Sequence, residues 1–320
     1  MLNRSLPANQ DSLESIITQV YDFFRRGLFD DAEKLLEKGI KIDFEAPDII
    51  SGLKCARFWI ERSVRIDSYE SDQLALSEYL YKEWKVFKRF ITRLNEPFER
   101  GVYAIKVWIF QISLSGYLNS FRVDTFSDDE LLLRIGRCYK GIGNYDKARE
   151  YLENAGRKRR DDAEILAELA DVYAYLNETR IAKAFFREAF YINPQKVDID
   201  FLESDLITRL IERIADIGYS EVLLKEWVPV YGVLWSVFTV KRELKPLEFG
   251  KLKQSIFSIE NRIKESEAEE EIQTLIPRLL NRYFWLIDHY IITKDSREKI
   301  EEVLRKIHTV DESVYEHYTN

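Results

Sequence analysis

Apolar residues recur three and four positions apart along almost the whole chain, the spacing that lines one face of an α-helix. The alternation with a period of two that marks half-buried strands is scarce. Only 12 glycines and 7 prolines interrupt the 320 residues, and no long Ser/Gly-rich linker occurs. The pattern therefore predicts an all-α chain whose helices are joined by short turns.

Three local signals predict where helices begin and end. Ser127-Asp-Asp-Glu130 has the form of a capping box, in which the Ser and Glu side chains each bind a free amide of the first turn. Asp161-Asp-Ala-Glu164 predicts the same arrangement with Asp161 as the cap. At Asn193-Pro194 we expect a helix to stop, because proline disfavours helical geometry in the residue before it.

An internal repeat emerges around Ile135–Gly156, which holds four of the twelve glycines. When the sequence is aligned with itself so that Gly136 matches Ala170, small residues match small residues and large residues match large ones. The pairs are Gly136 with Ala170, Tyr139 with Tyr173, Ala148 with Ala182, Leu152 with Phe186, and Ala155 with Ala189. Such agreement within and between the two segments predicts two copies of one helical hairpin.

These positions resemble the tetratricopeptide repeat family, whose unit of about 34 residues is a pair of helices. The first repeat, Asp129 to Asp162, has Arg160 where the family usually has proline, and the second, Ala163 to Lys196, has Pro194. The resemblance implies an α-solenoid of antiparallel helix hairpins wound as a right-handed superhelix.

Small residues explain how the helices of a repeat can approach each other. We expect Gly136 and Ala148 to form the contact inside the first hairpin, and Ala155 to make room for the first helix of the next repeat. Gly143 can take the left-handed geometry of the turn between them. The glycines Gly136 and Gly141 are not a phosphate loop, because no strand precedes them and no Gly-Lys-Ser ending follows.

Two repeats alone are marginally stable, so degenerate repeats are expected on both sides. Leu13–Ala46 has the spacing of a third repeat, with Phe23, Gly27, Phe29, Ala32 and Leu36 at matching positions. Asp205–Val230 predicts another hairpin around Gly218, with a poorer match because it lacks small residues.

The predicted organisation has three parts. Residues 1–126 form degenerate helical hairpins, 127–196 the two clear repeats, and 197–320 a helical region of degenerate repeats and capping helices. We expect one continuous solenoid.

Net charge is −8 and the isoelectric point is near 5.3, so the chain as a whole repels nucleic acid and anionic lipid. Arg157-Lys-Arg-Arg160 is the one sharp basic run, and a solvated loop is favoured over a nucleic-acid contact because two aspartates follow it. Cys55 and Cys138 are expected to be reduced core residues of a cytoplasmic protein. The start of the sequence has no apolar stretch typical of a signal peptide.

The apolar stretch Trp227–Val240 is too short to span a bilayer. It is typical of a buried helix, with Pro229 in the first turn, and the alternative is an exposed face for a partner helix or a membrane surface.

No pattern of catalytic residues is present. The three histidines, His289, His308 and His317, do not share ligand spacing with each other or with a cysteine, and no known nucleotide, hydrolase or zinc motif occurs. We therefore expect neither an enzyme nor a cofactor or metal.

The resemblance implies that first helices line a concave groove that binds a protein partner. The corresponding positions are Glu130, Leu133, Arg137 and Lys140 in the first repeat, and Glu164, Ala167, Asp171, Ala174 and Tyr175 in the second. Arg137 and Lys140, three apart, could bind a carboxylate, and Tyr175 could be an aromatic anchor. Leu133 and Arg137 stand where chaperone-binding members have Lys and Asn, so that clamp is disfavoured. The alternative is that all these residues are ordinary hydrated surface.

The predicted function is a protein–protein interaction adaptor or scaffold without catalysis. Its alternative is a structural subunit of a large assembly, such as a secretion or motility machine, which would expose extensive apolar surface when alone. An enzyme would instead require a deep pocket with convergent titratable groups, and a nucleic-acid adaptor a salt-dependent basic surface. The partner and the oligomeric state stay open.

Overall fold

The structure is a computed structural model and describes residues 12–69, 71–94, 98–123 and 129–320. Within these ranges the regular elements are helices and no strand occurs, which confirms the predicted all-α class. The α-helices of this part of the chain are α1 (Leu13–Arg26), α2 (Phe29–Ile40), α3 (Pro47–Asp67), α4 (Gln73–Leu94), α5 (Glu99–Val123), α6 (Asp129–Gly141), α7 (Tyr145–Lys158), α8 (Ala163–Tyr175), α9 (Thr179–Ile192), α10 (Asp205–Ala215), α11 (Glu221–Leu234), α12 (Pro246–Glu265), α13 (Glu269–Ile292), α14 (Arg297–Val310) and α15 (Glu312–Thr319).

The chain forms two compact units, Met1–Ala148 and Arg149–Asn320. In the first unit, α1 packs against α2 and α5, α2 against α3, and α5 against both α4 and α6. In the second, α8 packs against α9, α10 against α11, α13 against α11, α12 and α14, and α14 against α15. Neighbouring helices thus pack in pairs within each unit, as a solenoid of helix hairpins requires.

The predicted repeat period is visible in the helix boundaries. The same self-alignment matches the first residue of α6, Asp129, with the first residue of α8, Ala163. It also matches the last residues of these two helices. The same shift superposes both ends of α7 on those of α9. Asn193 caps the end of α9 and Pro194 follows it, so the predicted stop is confirmed. The same helix lengths and the same turn length therefore occur twice between residues 129 and 192.

The turns inside these hairpins are also repeated. Gly143 (φ 81°) and Asn177 (φ 61°) occupy the same left-handed position, which glycine and asparagine tolerate best. In both turns the left-handed residue and its successor donate amide hydrogen bonds to carbonyls of the preceding helix, a Schellman motif. These bonds are Gly143 to Lys140 (2.9 Å), Asn144 to Tyr139 (2.9 Å), Asn177 to Ala174 (3.1 Å) and Glu178 to Tyr173 (2.9 Å).

The N-terminal hairpin uses the same turn. Gly27, with φ 72°, donates to the Phe24 carbonyl (3.1 Å), and Leu28 donates to that of Phe23 (2.9 Å). Helices α1 and α2 pack together on either side of this turn. Helices α1 and α2 therefore form a hairpin within Leu13–Ala46, with Gly27 in the role of Gly143. That this hairpin is a third tetratricopeptide repeat stays a prediction.

A further hairpin, α10 and α11, lies where the sequence predicts one. Gly218 has φ 91° and donates to the Ala215 carbonyl (2.9 Å). Helix α11 begins after Ser220, whose hydroxyl accepts the amide of Leu223 (3.4 Å). The connection therefore has a cap of its own and departs from the turn of the two clear repeats.

Two predictions about helix starts need comment. Asp161 is not the cap of α8; Asp162 is, because its carboxylate accepts the amides of Glu164 (3.0 Å) and Ile165 (3.2 Å). The prediction misplaced the cap by one residue because both aspartates precede the helix. The capping box that begins at Ser127 lies outside the described residues.

The beginning of the apolar stretch Trp227–Val240 is buried, as its first interpretation predicts, whereas Ser236 and Thr239 near its end are exposed. Trp227, Val228 and Val230 lie in α11 at 8%, 0% and 0% exposure. Pro229 is not in the first turn: α11 begins at Glu221, so this proline lies inside the helix, where it has no amide to donate. After the helix ends, Phe238 folds back at 1% exposure.

Candidate functional site

The seven predicted partner-binding residues fall in both units, and each set is described within its own unit. In the first unit, Leu133 is fully buried, and Arg137 and Lys140 are each 3% exposed. Arg137 Nη1 donates to the hydroxyl of Tyr81 in α4 at 2.6 Å. Glu130 keeps partial exposure. The first helix of this repeat therefore presents less charged surface than its sequence suggests.

Arg134, beside these positions, strengthens the connection to α4. Its guanidinium pairs with Glu78 in α4 and, at 3.3 Å, with Glu130 one turn away. Since Arg134 and Arg137 lie on one side of α6, two arginines join α6 to α4. No motif in the sequence marks Glu78 or Tyr81 as their partners, because both lie 56 residues earlier.

The second set binds the chain itself. The Asp171 carboxylate is fully buried and accepts backbone amides from Glu203 (3.0 Å) and Ser204 (2.8 Å). The Tyr175 hydroxyl donates to the Glu203 carbonyl (2.9 Å). Together they fix the segment that leads into α10 onto α8. Glu164 stays half-buried near the start of α8.

These contacts bear on two interpretations of the predicted groove residues. Leu133, Arg137, Lys140 and Asp171 are not ordinary hydrated surface, because each is at most 3% exposed. The hypothesis that Arg137 and Lys140 bind a partner's carboxylate stays a prediction. Side chains buried to this degree must first be uncovered, so the partially exposed Glu130, Glu164 and Tyr175 are the better places to test it.

All but one of the predicted packing residues are buried. Full burial is found for Ala148, Ala155, Ala170, Ala182 and Ala189, and Gly136 and Pro194 are buried too. Next to Ala155, a side chain at Gly156 would begin 3.6 Å from Ile165 and Leu169 of α8, so this side of α7 faces α8 closely. Tyr139 is only half-buried.

Tyr173 combines packing with a hydrogen bond. Its hydroxyl donates to Glu153 Oε1 in α7 at 2.8 Å. Burial, with the hydrogen bond to Glu153 adding to it, raises the pKa of Tyr173 to about 12. The phenol therefore stays protonated and holds α8 to the C-terminal half of α7 across the physiological pH range.

The basic run Arg157–Arg160 lies at the end of α7. Arg157, Lys158 and Arg160 are exposed, whereas Arg159 pairs with Asp162 at 2.8 Å. That pair joins the run to the cap of the next helix, in agreement with a solvated loop between repeats.

Other candidate chemistry is sparse in the described part of the chain. Cys55 and Cys138 are free and buried, and burial raises the pKa of the Cys55 thiol to about 12. Among the described residues, no group of three or more His, Cys, Asp or Glu side chains could hold a metal ion. A helix long and apolar enough to cross a membrane is likewise missing from these residues.

Comparison with known proteins agrees with the geometry. The family model of the tetratricopeptide repeat matches residues 129–155 and 163–196, which contain most of α6–α7 and all of α8–α9. None of the curated proteins matches the chain. The family match and the periodic recurrence of helices and turns lead to one conclusion: residues 129–196 form two tetratricopeptide repeats.

Proposed function

We propose that this chain is a protein-interaction adaptor that uses the first helices of its repeats to bind a protein partner. The pair of tetratricopeptide repeats carries the proposal, since such repeats mediate protein–protein interactions. Rigid hairpins present side chains without the entropic cost of ordering a loop, so an apolar contact can supply affinity and charged groups selectivity.

The accessible members of the predicted set define where to look. Glu130 in α6 and Glu164 in α8 are partially exposed and occupy equivalent positions in successive repeats. Tyr175 is also partially exposed, although its hydroxyl already binds the Glu203 carbonyl. We assign a direct role to these three residues and a supporting role to the four buried ones.

Affinity capture from the native organism tests this assignment. The double variant Glu130→Lys/Glu164→Lys should lose a protein that the parent chain retains, because it reverses two carboxylates on the proposed surface. Glu150→Lys/Asp161→Lys is the matched control, with the same charge change at exposed positions outside the first helices. Mass spectrometry of the three samples compares the captured proteins.

The outcomes separate the possibilities. A protein lost only from the first double variant supports the proposed surface. If both variants capture the same proteins as the parent, the partner binds elsewhere, and Trp227–Val240 and the C-terminal helices are tested next. Capture of no protein by any of the three contradicts the adaptor role.

Exposed apolar side chains favour a second candidate, a structural subunit of a large assembly. Val64, Phe44, Leu247 and Phe257 are 81%, 72%, 73% and 65% exposed. A subunit that buries such residues in its assembly should self-associate when isolated. Light scattering across a range of protein concentrations distinguishes a stable monomer from such association.

A further inference from the structure

Two arginines of α13, Arg278 and Arg282, lie one helical turn apart in the second unit, and one buried carboxylate lies beside them. Arg278 binds that carboxylate, Glu226 of α11, through Nε at 2.8 Å and through Nη2. Gln195 Nε2 also donates to Glu226, at 2.8 Å. Arg282 forms no ion pair with any residue that the structure describes. Two positive charges and one negative charge therefore leave Arg282 without a counter-ion.

The guanidinium of Arg282 is only partly bonded within the protein. Its Nε donates to Ser255 Oγ of α12 at 2.6 Å, and its Nη1 donates to the carbonyl of Arg278 at 3.2 Å. Its Nη2 has no hydrogen-bond partner within the described part of the chain and keeps contact with solvent. An anion that arrives from solvent can therefore reach this donor.

Burial makes the charge of Arg282 unfavourable. The side chain is half-buried, and burial lowers the pKa of the guanidinium below its ordinary value. The positive charge of Arg278 lowers this pKa further, whereas Tyr191 and Glu226 oppose the change. A positive charge that is partly removed from water and lacks a counter-ion is stabilised by a bound anion.

Arg242 of the same unit shows the opposite arrangement. It pairs with Glu188 and Glu248, each at 3.0 Å. Its hydrogen bonds to Glu188 raise the pKa of Arg242, burial opposes this, and the hydrogen bonds to Glu248 add to it. Because Arg242 holds both of these carboxylates, neither is the counter-ion of Arg282.

Further donors lie around Arg282. The Tyr191 hydroxyl of α9 has no hydrogen-bond partner in the described ranges and is open to solvent, and Arg282 Cζ lies 5.3 Å from the centre of the Tyr191 ring. Packing against Trp285, with ring centroids 4.6 Å apart, holds this ring in place. Ser255 accepts from Arg282, so its own hydroxyl hydrogen is still available, and Arg278 Nη1 is unbonded among the described residues. Donors on α9, α12 and α13 are therefore available here to an anion.

We propose that a phosphoryl group binds at this junction of α9, α12 and α13. Its donors are the side chains of Tyr191, Ser255, Arg278 and Arg282. A phosphoryl group has three terminal oxygens, which suit several donors on three helices, whereas a carboxylate has two oxygens in one plane. Its negative charge supplies the counter-ion that Arg282 lacks. The site is independent of the adaptor role, because none of these residues lies in α6 or α8.

Isothermal titration calorimetry in a phosphate-free buffer tests the site, with inorganic phosphate and glycerol 3-phosphate as the probes. The parent chain should bind phosphate, and it should bind acetate, which has a single carboxylate, roughly tenfold more weakly. Binding of glycerol 3-phosphate as well indicates that the site takes a phosphate ester. Binding of inorganic phosphate alone indicates that the free ion is the ligand.

Two variants remove donors of the proposed site. Arg282→Gln should weaken phosphate binding roughly tenfold or more, the loss expected for one charge-assisted hydrogen bond. Tyr191→Phe keeps the ring against Trp285 and removes only the hydroxyl, so it should weaken binding about threefold. The matched control is Arg305→Gln, which removes an exposed arginine of α14 that also has no ion pair within the described part of the chain. This control should bind phosphate as the parent does.

Thermal melts show whether each variant is folded. If Arg282→Gln is not, Tyr191→Phe takes its place in the comparison with Arg305→Gln. The proposal is overturned if millimolar phosphate gives neither heat nor a higher melting temperature of the parent, if acetate binds equally well, or if the variant at the site and Arg305→Gln bind alike.

Discussion

The two tetratricopeptide repeats and the helices α3–α5 both bring helices close together, but they do so with residues of different size. In α8 and α9 the close contacts are made by alanines, and Ala163, Ala167, Ala170, Ala182 and Ala189 are all at most 1% exposed. In α3–α5 aromatic rings fill the interior. Trp59 contacts Trp108 with ring centroids 5.3 Å apart, and Trp84 contacts Phe110 at 5.6 Å.

Two glycines outside α3–α5, Gly27 after α1 and Gly141 at the end of α6, leave room for single rings of the aromatic region. A Cβ atom at Gly27 would lie 2.3 Å from Trp108, and one at Gly141 would lie 2.3 Å from Phe110. Alanines at a fixed spacing make the same small contact in each repeat, whereas each of these two glycines accommodates one particular ring of α5. This difference explains why a repeat period is visible in 129–196 and no register is visible in 47–126.

The largest loss of folding stability is expected from Gly27→Ala. Gly27 and Gly143 occupy the same turn, with φ 72° and 81°, so alanine is strained at both by about 1–2 kcal/mol. Only at Gly27 does the new methyl also collide with Trp108, which adds about 1–3 kcal/mol of overpacking. Denaturant unfolding should therefore show Gly27→Ala to be much less stable than Gly143→Ala.

Gly143→Ala serves as the control for strain alone, because the nearest atom to its Cβ would be the Tyr103 hydroxyl at 3.5 Å. Equal losses in the two variants would mean that the Trp108 ring yields without cost, and the contrast between the two regions would then fail.

The next effect concerns the alanine contacts of the repeats. Ala148→Leu and Ala182→Leu enlarge equivalent, fully buried positions, and each should lower the free energy of unfolding by about 1–3 kcal/mol. Gly136→Leu should act in the same direction, since Gly136 is buried in the facing helix of the predicted contact. Thermal melts of the three variants measure this, and melts that match the parent would show that the repeat register is wrong.

A smaller effect is expected from Gly116→Ala in α5. A Cβ atom there would lie 2.5 Å from the backbone carbonyl oxygen of Gln73, which cannot rotate away. The collision should lower the free energy of unfolding by about 1–3 kcal/mol. The higher helix propensity of alanine than of glycine offsets roughly 0.5–1 kcal/mol of this loss. Unfolding experiments should show net destabilisation.

Gly250→Ala is the matched change in a helix with open space, because nothing lies within 4 Å of the added methyl. That variant should be slightly more stable than the parent. If Gly116→Ala were stabilising too, the close approach of α4 to α5 at this glycine would be contradicted.

Much of the fold could be predicted from local pattern. The offset that aligns Gly136 with Ala170 gives the bounds of four helices, and glycine or asparagine at the turn gives the left-handed residues Gly143 and Asn177. The N-terminal hairpin follows from the same spacing around Gly27. These features depend on residues close in sequence or on an internal copy, so one sequence contains the information.

The environment of the predicted groove could not be predicted in this way. Asp171 has the composition of a surface position, but its carboxylate accepts the amides of Glu203 and Ser204, 32 and 33 residues later. Arg137 likewise donates a hydrogen bond to the hydroxyl of Tyr81, 56 residues earlier. The identity of a charged residue does not show whether its side chain is solvated or bonded to a distant backbone amide. Only the tertiary structure distinguishes these two environments.

The smallest effect tests the ion pair between Arg242, which also pairs with Glu188 of α9, and Glu248 in the first turn of α12. Hydrogen bonds from Arg242 lower the pKa of Glu248 below its ordinary 4.5, burial opposes this, and the Lys245 amide adds to it. A carboxyl group with a lowered folded-state pKa stabilises the chain above its unfolded pKa and loses that contribution as pH falls through the folded one. The stability difference between the parent and Glu248→Gln should therefore be largest near neutral pH and shrink below pH 4.5.

Its size should stay below about 1 kcal/mol, because Arg242 and Glu248 both retain 39% of their side-chain exposure and water screens the pair. Urea unfolding at neutral pH and at a series of acidic pH values measures the difference. Glu267→Gln, the same change at an exposed side chain away from Arg242, controls for the loss of one negative charge from the chain. A Glu248→Gln difference that stays constant into acid would show that the Glu248 side chain acts through packing and that its ion pair with Arg242 contributes nothing to stability.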